Sequence, residues 1–335
     1  FNESTMTKFI LEKYKIKVTD IKKIARGIAN LYVLNNQKYV VKEYLSTYQE
    51  EDLKREVRVV EHLRNKKINT PEFFLNTHHK RYTIYKGHYI VLEEFIEGYT
   101  KENHTLDLEK LTEVGRLLGQ IIVSLEDLKH PLPVEDPSKW FSPVTIEQSI
   151  TKYKELIKSI PESKYQTKII KDLRDKIKIL RDINGNIPQI DWSKITYKNT
   201  HGDYNALQLM YKEGKIKAVL DFATACNMPI VWEIIRSYSL CDKEAINGNL
   251  NLNNLNQYIQ IINNYISLTT EDIKCMPYLY LLQLLHSTYG YKQYLRDPQN
   301  EELLLFGFYR TKLCRYLWEN AEKMVRVLSK DLKKR

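Results

Sequence analysis

Two aspartates, Asp203 and Asp221, flank a predicted β-hairpin. Apolar-rich runs at residues 206–211 and 215–220 are separated by a Lys-Glu-Gly turn, which predicts two antiparallel strands. Because a hairpin brings its two ends together, both carboxylates are expected at the same end of it. One carboxylate could orient an attacking hydroxyl, while the other, with a nearby side-chain amide, could bind Mg²⁺.

The chain around the first aspartate reads His-Gly-Asp at residues 201–203, followed by the hairpin and the second aspartate. This pattern resembles the aminoglycoside phosphotransferase and choline kinase superfamily of protein-kinase-like small-molecule kinases. The resemblance implies that Asp203 is catalytic and that Gln208 and Asp221 bind Mg²⁺. The family usually has Asn at the position of Gln208, so the amide ligand stays open between Gln208 and Asn205.

The same resemblance implies an α+β, two-lobed protein-kinase-like fold, with a small β-rich N-terminal lobe and a large, mainly helical C-terminal lobe. Residues 6–97 are predicted to form the nucleotide-binding lobe, and the five residues before Met6 are left out of it. Residues 98–335 are predicted to form the catalytic and substrate-binding lobe. Alternating charges predict a solvent-facing helical insertion within it, at about residues 144–185.

The elements that must position the nucleotide are predicted in the N-terminal lobe. Short β-rich runs predict strands at 21–25, 31–35 and 39–43, and an amphipathic pattern predicts a helix over 50–64. Lys42 lies in the apolar third strand, where its ammonium group needs a partner such as a nucleotide phosphate. In the family, a lysine at this place holds the α- and β-phosphates, and a helix glutamate, here Glu56, fixes the lysine.

Two further segments are predicted to contact the nucleotide. Gly27 and Asn30 occupy the turn between the first two strands, where a phosphate-covering loop would lie. With one glycine, this turn matches neither the multi-glycine loop of protein kinases nor a P-loop. An apolar strand that turns acidic near residue 94 resembles the family's lobe connector, whose backbone carbonyl and amide would bind the adenine edge at Glu94 and Ile96.

Helical periodicity dominates the second half of the chain. A long amphipathic helix is predicted over 107–128, and Gly115 and Gly119 would let another helix pack closely against it. Acidic and aromatic residues that could face a cationic acceptor are Asp242, Glu244, Glu271, Asp272, Trp232, Tyr238, Tyr289 and Trp318. A tyrosine or tryptophan at helical spacing is more often a core residue, so no aromatic acceptor box is predicted.

Composition excludes several function classes. The formal net charge is +10, but lysines alternate with acids along the helices, which favours solvated surfaces over a nucleic-acid groove. The four cysteines lie far apart without a Cys-x-x-Cys pair, so neither a zinc site nor a disulfide framework is indicated. No apolar run approaches the roughly 18 residues needed to cross a bilayer. We therefore expect a cytoplasmic protein with no membrane or nucleic-acid partner.

Together these features predict a phosphotransferase that moves the γ-phosphate of ATP or GTP to a hydroxyl group of a small molecule. The acceptor stays open among an aminoglycoside, a choline-like amino alcohol, homoserine and a sugar. The alternative is a nucleotide-binding pseudokinase with a regulatory or scaffolding role, which the glutamine at position 208 and the sparse phosphate-covering turn would suit. The sequence predicts no oligomeric state.

Overall fold

The computed structural model describes residues 1–26, 29–44 and 48–332. The strands in this part of the chain are β1 (Ile21–Arg26), β2 (Ala29–Leu34), β3 (Tyr39–Tyr44), β4 (Thr83–Tyr85), β5 (His88–Glu94), β6 (Tyr197–Thr200), β7 (Leu209–Lys212), β8 (Lys215–Val219) and β9 (Cys226–Pro229). The helices are α1 (Glu3–Tyr14), α2 (Glu50–Asn65), α3 (Leu108–Ser124), α4 (Pro143–Lys158), α5 (Gln166–Ile183), α6 (Ile230–Cys241), α7 (Leu252–Asn263), α8 (Thr270–His286), α9 (Tyr291–Arg296) and α10 (Glu301–Leu332). None of these helices is long and apolar enough to cross a membrane.

The described residues divide into two compact units. The first consists of Phe1–Glu102, Gln120–Leu132 and Asn199–Cys226. The second consists of Asn103–Gly119, Pro133–Lys198 and the chain from Asn227 onward. The predicted lobe boundary between residues 97 and 98 stays a prediction.

The first unit is built on an antiparallel sheet of five strands in the order β1-β2-β3-β5-β4. Lys42 of β3 lies opposite Leu31 of β2 on one side and Val91 of β5 on the other. Because side chains alternate along a strand, each strand presents one set of residues to each face of the sheet. Val41 and Leu92 belong to the apolar core on one face, and Lys42 points to the other.

Helix α1 covers the apolar face of the sheet. Its buried residues, at helical spacing, are Met6, Phe9, Ile10 and Tyr14. Asn2 begins the helix because its side chain accepts a hydrogen bond from the backbone N–H of Thr5, 2.8 Å away. Residues 3–5 are therefore part of this helix, although the predicted N-terminal lobe left out the residues before Met6.

Helix α2 lies against the other face of the sheet, and its predicted bounds are confirmed within a residue. Its buried residues recur with helical period and include Leu53, Glu56, Val57 and Val60. Arg55, on the same helix, donates a 3.0 Å hydrogen bond to the backbone carbonyl of Ala223. The helix is thereby tied to the segment that follows Asp221.

The predicted hairpin forms, but its first strand begins later than expected. Residues Ala206–Gln208 form a turn of 3₁₀ helix, and β7 starts at Leu209. The Asn205 side chain caps this turn by accepting a hydrogen bond from the N–H of Leu207 at 2.9 Å. Ala206 and Leu207 suit both a strand and a 3₁₀ turn, so hydrophobic periodicity could not place the start of the strand. The side-chain cap from Asn205 was the local signal for the turn.

The second unit is mainly helical, and α4 and α5 lie where the helical insertion was predicted. A Cβ atom added to Gly115 would lie 3.1 Å from the Tyr258 ring, which confirms close helix packing there. The solvent-facing prediction for the insertion was wrong for part of α5. Asp172 and Lys176 are fully buried, and Arg315 of α10 lies 2.8 Å from the Asp172 carboxylate. A charged partner supplied more than a hundred residues away makes this burial possible.

Candidate active site

The Lys42 ammonium group is the central cation of a site within the first unit. Its Nζ atom lies 3.0 Å from Oε1 of Glu56 and 3.6 Å from Oδ1 of Asp221. Lys42 is only 8% exposed, so its charge is almost removed from water. Burial alone would lower the pKa of this ammonium group, but the negative charge of Glu56 beside it holds that pKa well above its usual value. Lys42 therefore keeps its positive charge at neutral pH.

Glu56 accepts more hydrogen bonds than the one from Lys42. Its second carboxylate oxygen, Oε2, lies 2.6 Å from the Tyr44 hydroxyl and 3.2 Å from the Tyr48 hydroxyl. Glu56 is 1% exposed. A buried carboxylate is costly unless its lone pairs are satisfied, and here both oxygens have donors.

Asp221 follows strand β8 and has a left-handed backbone conformation, with φ of 59°. Its side chain is 47% exposed, so one face remains open to solvent or to a ligand. Partial burial would raise the pKa of this carboxyl, but the positive charge of Lys42 holds the pKa below its usual value. Asp221 is consequently ionised at neutral pH.

The buried imidazole of His201 braces the segments that carry the two aspartates. Nδ1 lies 3.2 Å from the backbone nitrogen of Asp203, and Nε2 lies 2.8 Å from the backbone carbonyl oxygen of Leu220. These partners assign the neutral tautomer with the proton on Nε2, because Nδ1 must accept and Nε2 must donate. His201 thus positions Asp203 and Asp221 relative to each other.

The Asp203 carboxylate is oriented by both neighbouring amides. Nδ2 of Asn205 lies 3.2 Å from Oδ1 of Asp203, and Nε2 of Gln208 lies 3.1 Å from Oδ2. The oxygen of the Asn205 amide is already used to cap the 3₁₀ turn. Gln208 donates through its nitrogen, so its amide oxygen is the atom that could bind a cation.

Four of the residues predicted for the site line one cavity, namely Lys42, Glu56, Gln208 and Asp221. Glu93 of β5 lines the same cavity, although no role was predicted for its side chain. Burial raises the pKa of the Glu93 carboxyl to about 7; the charge of Lys42 opposes that rise, and those of Glu56 and Asp221 add to it. Val91 of β5 pairs with Lys42, and Glu93 lies two residues further along the strand. Because side chains alternate along a strand, this spacing places Glu93 on the same face of the sheet as Lys42.

Other predicted contact residues lie outside the lining of this cavity. The Asn30 amide donates a 3.1 Å hydrogen bond to Glu43, on the face of β3 opposite Lys42. The Glu94 side chain accepts from the N–H of Glu72 at 3.3 Å. Ile96 follows β5 and is partly buried. Gly27 lies outside the described residues.

The oxygen donors of this site fit a hard cation such as Mg²⁺. Asp221 supplies a carboxylate oxygen and Gln208 an amide oxygen, and Mg²⁺ typically takes one or two such protein ligands and completes its shell with water and phosphate oxygens. Among the described residues, no three His, Cys, Asp or Glu side chains converge in a way that would suit an all-protein metal site. The arrangement therefore fits a cation shared between protein and a phosphorylated ligand.

Several acids that were candidates for acceptor binding have structural partners in the second unit. Asp272 accepts hydrogen bonds from Thr196 and Thr269 at the start of α8. The Tyr238 hydroxyl donates to Asp242 over 2.5 Å, and the N–H of Asp191 donates to Glu271 over 2.8 Å. These carboxylates stabilise helix ends and turns in the second unit.

Residues 20–259, most of the chain, match the family model described as the phosphotransferase enzyme family. The chain belongs to this family. No curated protein sequence matches it significantly. The predicted family resemblance is confirmed, and the enzyme class that follows from it is a small-molecule kinase.

Solved structures agree with the kinase-like fold. A spectinomycin phosphotransferase solved with ADP and spectinomycin is 17% identical, with a TM-score of 0.64 over 97% of this chain and 98% of that chain. An amicoumacin kinase solved with AMP-PNP and Ca²⁺ is 13% identical, with a TM-score of 0.59 over 94% of each chain. A microcompartment-associated aminopropanol kinase is 13% identical, with a TM-score of 0.60 over 96% of this chain and 99% of that chain. The predicted fold class, a small β-rich part and a mainly helical part, is confirmed.

Proposed function

We propose that this phosphotransferase transfers the γ-phosphoryl group of ATP or GTP to a hydroxyl group of a small molecule. The observation that carries the proposal is the Gln208 bridge, in which one side chain lines the Lys42 cavity and also hydrogen-bonds to the Asp203 carboxylate. The Gln208 amide thereby connects the cavity of Lys42, the residue proposed to bind nucleotide phosphates, with Asp203, the residue proposed to bind the acceptor hydroxyl. Family membership and the printed ligands of the structural neighbours, which include ADP and AMP-PNP, support the choice of a nucleotide.

Each residue of the site has a proposed role. Asp203 orients the acceptor hydroxyl and takes up its proton as the hydroxyl oxygen forms a bond to the γ-phosphorus. The bond between the γ-phosphorus and the β-phosphate oxygen breaks in the same transfer, and ADP or GDP leaves. Lys42 binds nucleotide phosphate oxygens, and Glu56 holds Lys42 in place. Asp221 and Gln208 would hold Mg²⁺, which, when bound, neutralises charge on the transferred phosphoryl group. Glu94, Ile96, Gly27 and Asn30 remain proposed nucleotide contacts.

The acceptor is proposed to be an alcohol that also carries an amine or, as a sugar does, further hydroxyl groups. Relatives with this fold are named for spectinomycin, amicoumacin and aminopropanol. The acceptor classes to test are therefore aminoglycosides, amino alcohols such as choline and aminopropanol, homoserine and sugars.

A two-step screen tests the proposal. First, thermal unfolding is measured with ATP or GTP and Mg²⁺, because a ligand that binds only the folded state raises its stability. Next, acceptor-dependent release of ADP or GDP is measured with each acceptor class. The proposal predicts a nucleotide-dependent rise in the unfolding temperature and turnover with at least one acceptor.

The screen also separates the proposal from a pseudokinase. Nucleotide stabilisation without acceptor-dependent turnover in any class would favour the binding-only alternative. Absence of nucleotide stabilisation would contradict both.

A further inference from the structure

The Glu56 carboxylate is held by two tyrosine hydroxyls in addition to the Lys42 ammonium group. Lys42 approaches Oε1 at 3.0 Å, whereas the hydroxyls of Tyr44 and Tyr48 both approach Oε2, at 2.6 and 3.2 Å. An ion pair needs only the first of these contacts. The two hydroxyls fix the rotation of the carboxylate and so the direction in which Oε1 points.

The two tyrosines are arranged to act together. Their rings stack with centroids 4.4 Å apart and an interplanar angle of 15°. Tyr44 lies two residues after Lys42 on β3, so both side chains are on the same face of the sheet. Tyr48 precedes α2, the helix that carries Glu56. The stack therefore links the strand of the lysine to the helix of the glutamate.

Both hydroxyls act as hydrogen-bond donors throughout the physiological pH range. Burial, followed by the negative charge of Glu56, raises the pKa of Tyr44 well above its usual value. The same two causes raise the pKa of Tyr48. Neither phenol ionises beside the carboxylate near neutral pH, so both hydroxyls keep their protons.

The charge balance in the cavity explains why neutral donors are useful there. One ammonium group, that of Lys42, lies beside the carboxylates of Glu56 and Asp221, and Glu93 lines the same cavity. A lysine ammonium group has three N–H donors and must also reach a phosphate if it is to bind nucleotide. Hydroxyls on Oε2 satisfy Glu56 without adding charge and without using those donors.

We propose that Tyr44 and Tyr48 are positioning residues for nucleotide binding, which hold the Glu56 carboxylate so that Oε1 aims the Lys42 ammonium group at the nucleotide phosphates. This inference rests on the proposed function. It assigns a role to the hydroxyls, whereas a simple core role would need only the rings. Replacing tyrosine by phenylalanine removes the hydroxyl and keeps the ring.

The experiment compares Tyr44→Phe and Tyr48→Phe with the wild type, each also in a Glu56→Ala background. Binding of AMP-PNP or GMP-PNP with Mg²⁺, whichever the wild type binds, is measured by calorimetry. We expect each single variant to weaken binding by about threefold to tenfold. This is less than the full effect of a hydrogen bond to a charged group, because the lost contact acts on the nucleotide only through Glu56 and Lys42. In the Glu56→Ala background, the same substitutions should have no further effect, because the acceptor is gone.

A Tyr316→Phe variant controls for loss of a tyrosine hydroxyl, since the Tyr316 hydroxyl donates to the carbonyl of Leu250 in the second unit. It should bind nucleotide as the wild type does. Thermal unfolding without nucleotide shows whether each variant is folded, and Tyr48→Phe, at the less buried tyrosine, carries the test if Tyr44→Phe is unstable. Wild-type affinity in folded Tyr48→Phe, or an equal loss with and without Glu56, would overturn the positioning role while leaving the proposed function intact. Failure of the wild type to bind either analogue would overturn the proposed function itself.

Discussion

The side-chain amide nitrogen of Gln208 lies 3.1 Å from Oδ2 of Asp203. An amide that donates through its nitrogen presents its oxygen elsewhere, and Gln208 also lines the cavity of Lys42 and Asp221. Asn205, the other candidate amide, instead uses its oxygen to cap the following turn. This arrangement supports our proposal that Gln208, and not Asn205, supplies the amide oxygen for a cation.

Replacing Gln208 by leucine should impair the use of Mg²⁺ specifically. Leucine has a similar volume but no amide, so we expect the Mg²⁺ concentration for half-maximal turnover to rise and turnover to fall by about tenfold or more. Gln208→Asn should keep more activity because it retains the amide oxygen. Titration of Mg²⁺ at saturating nucleotide measures this, with Gln148→Leu on the exposed face of α4 as control. An unchanged Mg²⁺ dependence in Gln208→Leu would remove this residue from the metal site.

Replacing Lys42 by methionine should abolish nucleotide stabilisation and destabilise the free protein. Glu56 would remain buried without its cation, which we expect to cost about 3 kcal/mol, reduced to the extent that the two tyrosine hydroxyls compensate. The matched control is Lys54→Met on the same helix as Glu56, where Lys54 pairs at the surface with Glu50 and Glu51. That exposed pair should contribute less than about 1 kcal/mol. Equal losses in the two variants, measured by urea unfolding, would contradict the buried ion pair.

The elevated pKa of Glu93 predicts a specific pH dependence of stability. A carboxyl that keeps its proton to about pH 7 when folded, against an ordinary value of 4.5, makes the folded state bind more protons than the unfolded chain between these values. Stability is therefore lost as pH rises through this interval. The charged groups near Glu93 are Lys42, Glu56 and Asp221.

Glu93→Gln removes this titration, so the variant should gain stability relative to the wild type as pH rises from 5 to 8, by about 1–3 kcal/mol. Urea unfolding of the nucleotide-free protein at several pH values measures the difference. Glu319→Gln, at an exposed position of α10, should show no such trend. A difference between Glu93→Gln and wild type that stays constant across this range would show that Glu93 does not titrate there.

Gly202 should not tolerate a side chain. Its φ is +81°, and an added Cβ atom would lie 2.1 Å from the backbone carbonyl oxygen of Thr224. Gly202→Ala should therefore displace the loop that carries Asp203, with loss of turnover and of more than about 2 kcal/mol of stability. Gly185 has a similar φ of +89° but open space around it, so Gly185→Ala should cost only about 1 kcal/mol. Similar losses at both glycines would show that backbone conformation alone, rather than contact with Thr224, limits position 202.

Local patterns predicted the parts of the site that depend on neighbouring residues. The His-Gly-Asp sequence and the hairpin pointed to Asp203 and Asp221, and the apolar strand around Lys42 indicated a cation that needs a partner. The pairing of Lys42 with Glu56 was implied by the family resemblance. Their assembly in one unit follows from sheet register and from the hairpin. The start of β7 was misplaced because a side-chain cap, rather than hydrophobic period, decides the structure at Ala206–Gln208.

Features that depend on distant partners could not be predicted in this way. Tyr48 contacts Glu56 from a segment with no periodic signal, so its role becomes visible only in three dimensions. Charges on α5 suggested a solvated helix, yet Asp172 is buried because Arg315 meets it from α10. A buried charge and an exposed charge look alike in sequence when the compensating partner is remote.

Phosphoryl transfer by an Asp203→Asn variant tests the central claim most directly. This substitution keeps the shape of the side chain but removes its charge and its capacity to take up a proton. With an acceptor that the wild type phosphorylates, the account predicts at least about a hundredfold loss of acceptor-dependent ADP or GDP release, with stabilisation by nucleotide and Mg²⁺ unchanged. Asp182→Asn, at an exposed position, should retain full turnover. Turnover by Asp203→Asn at the wild-type rate would contradict the account.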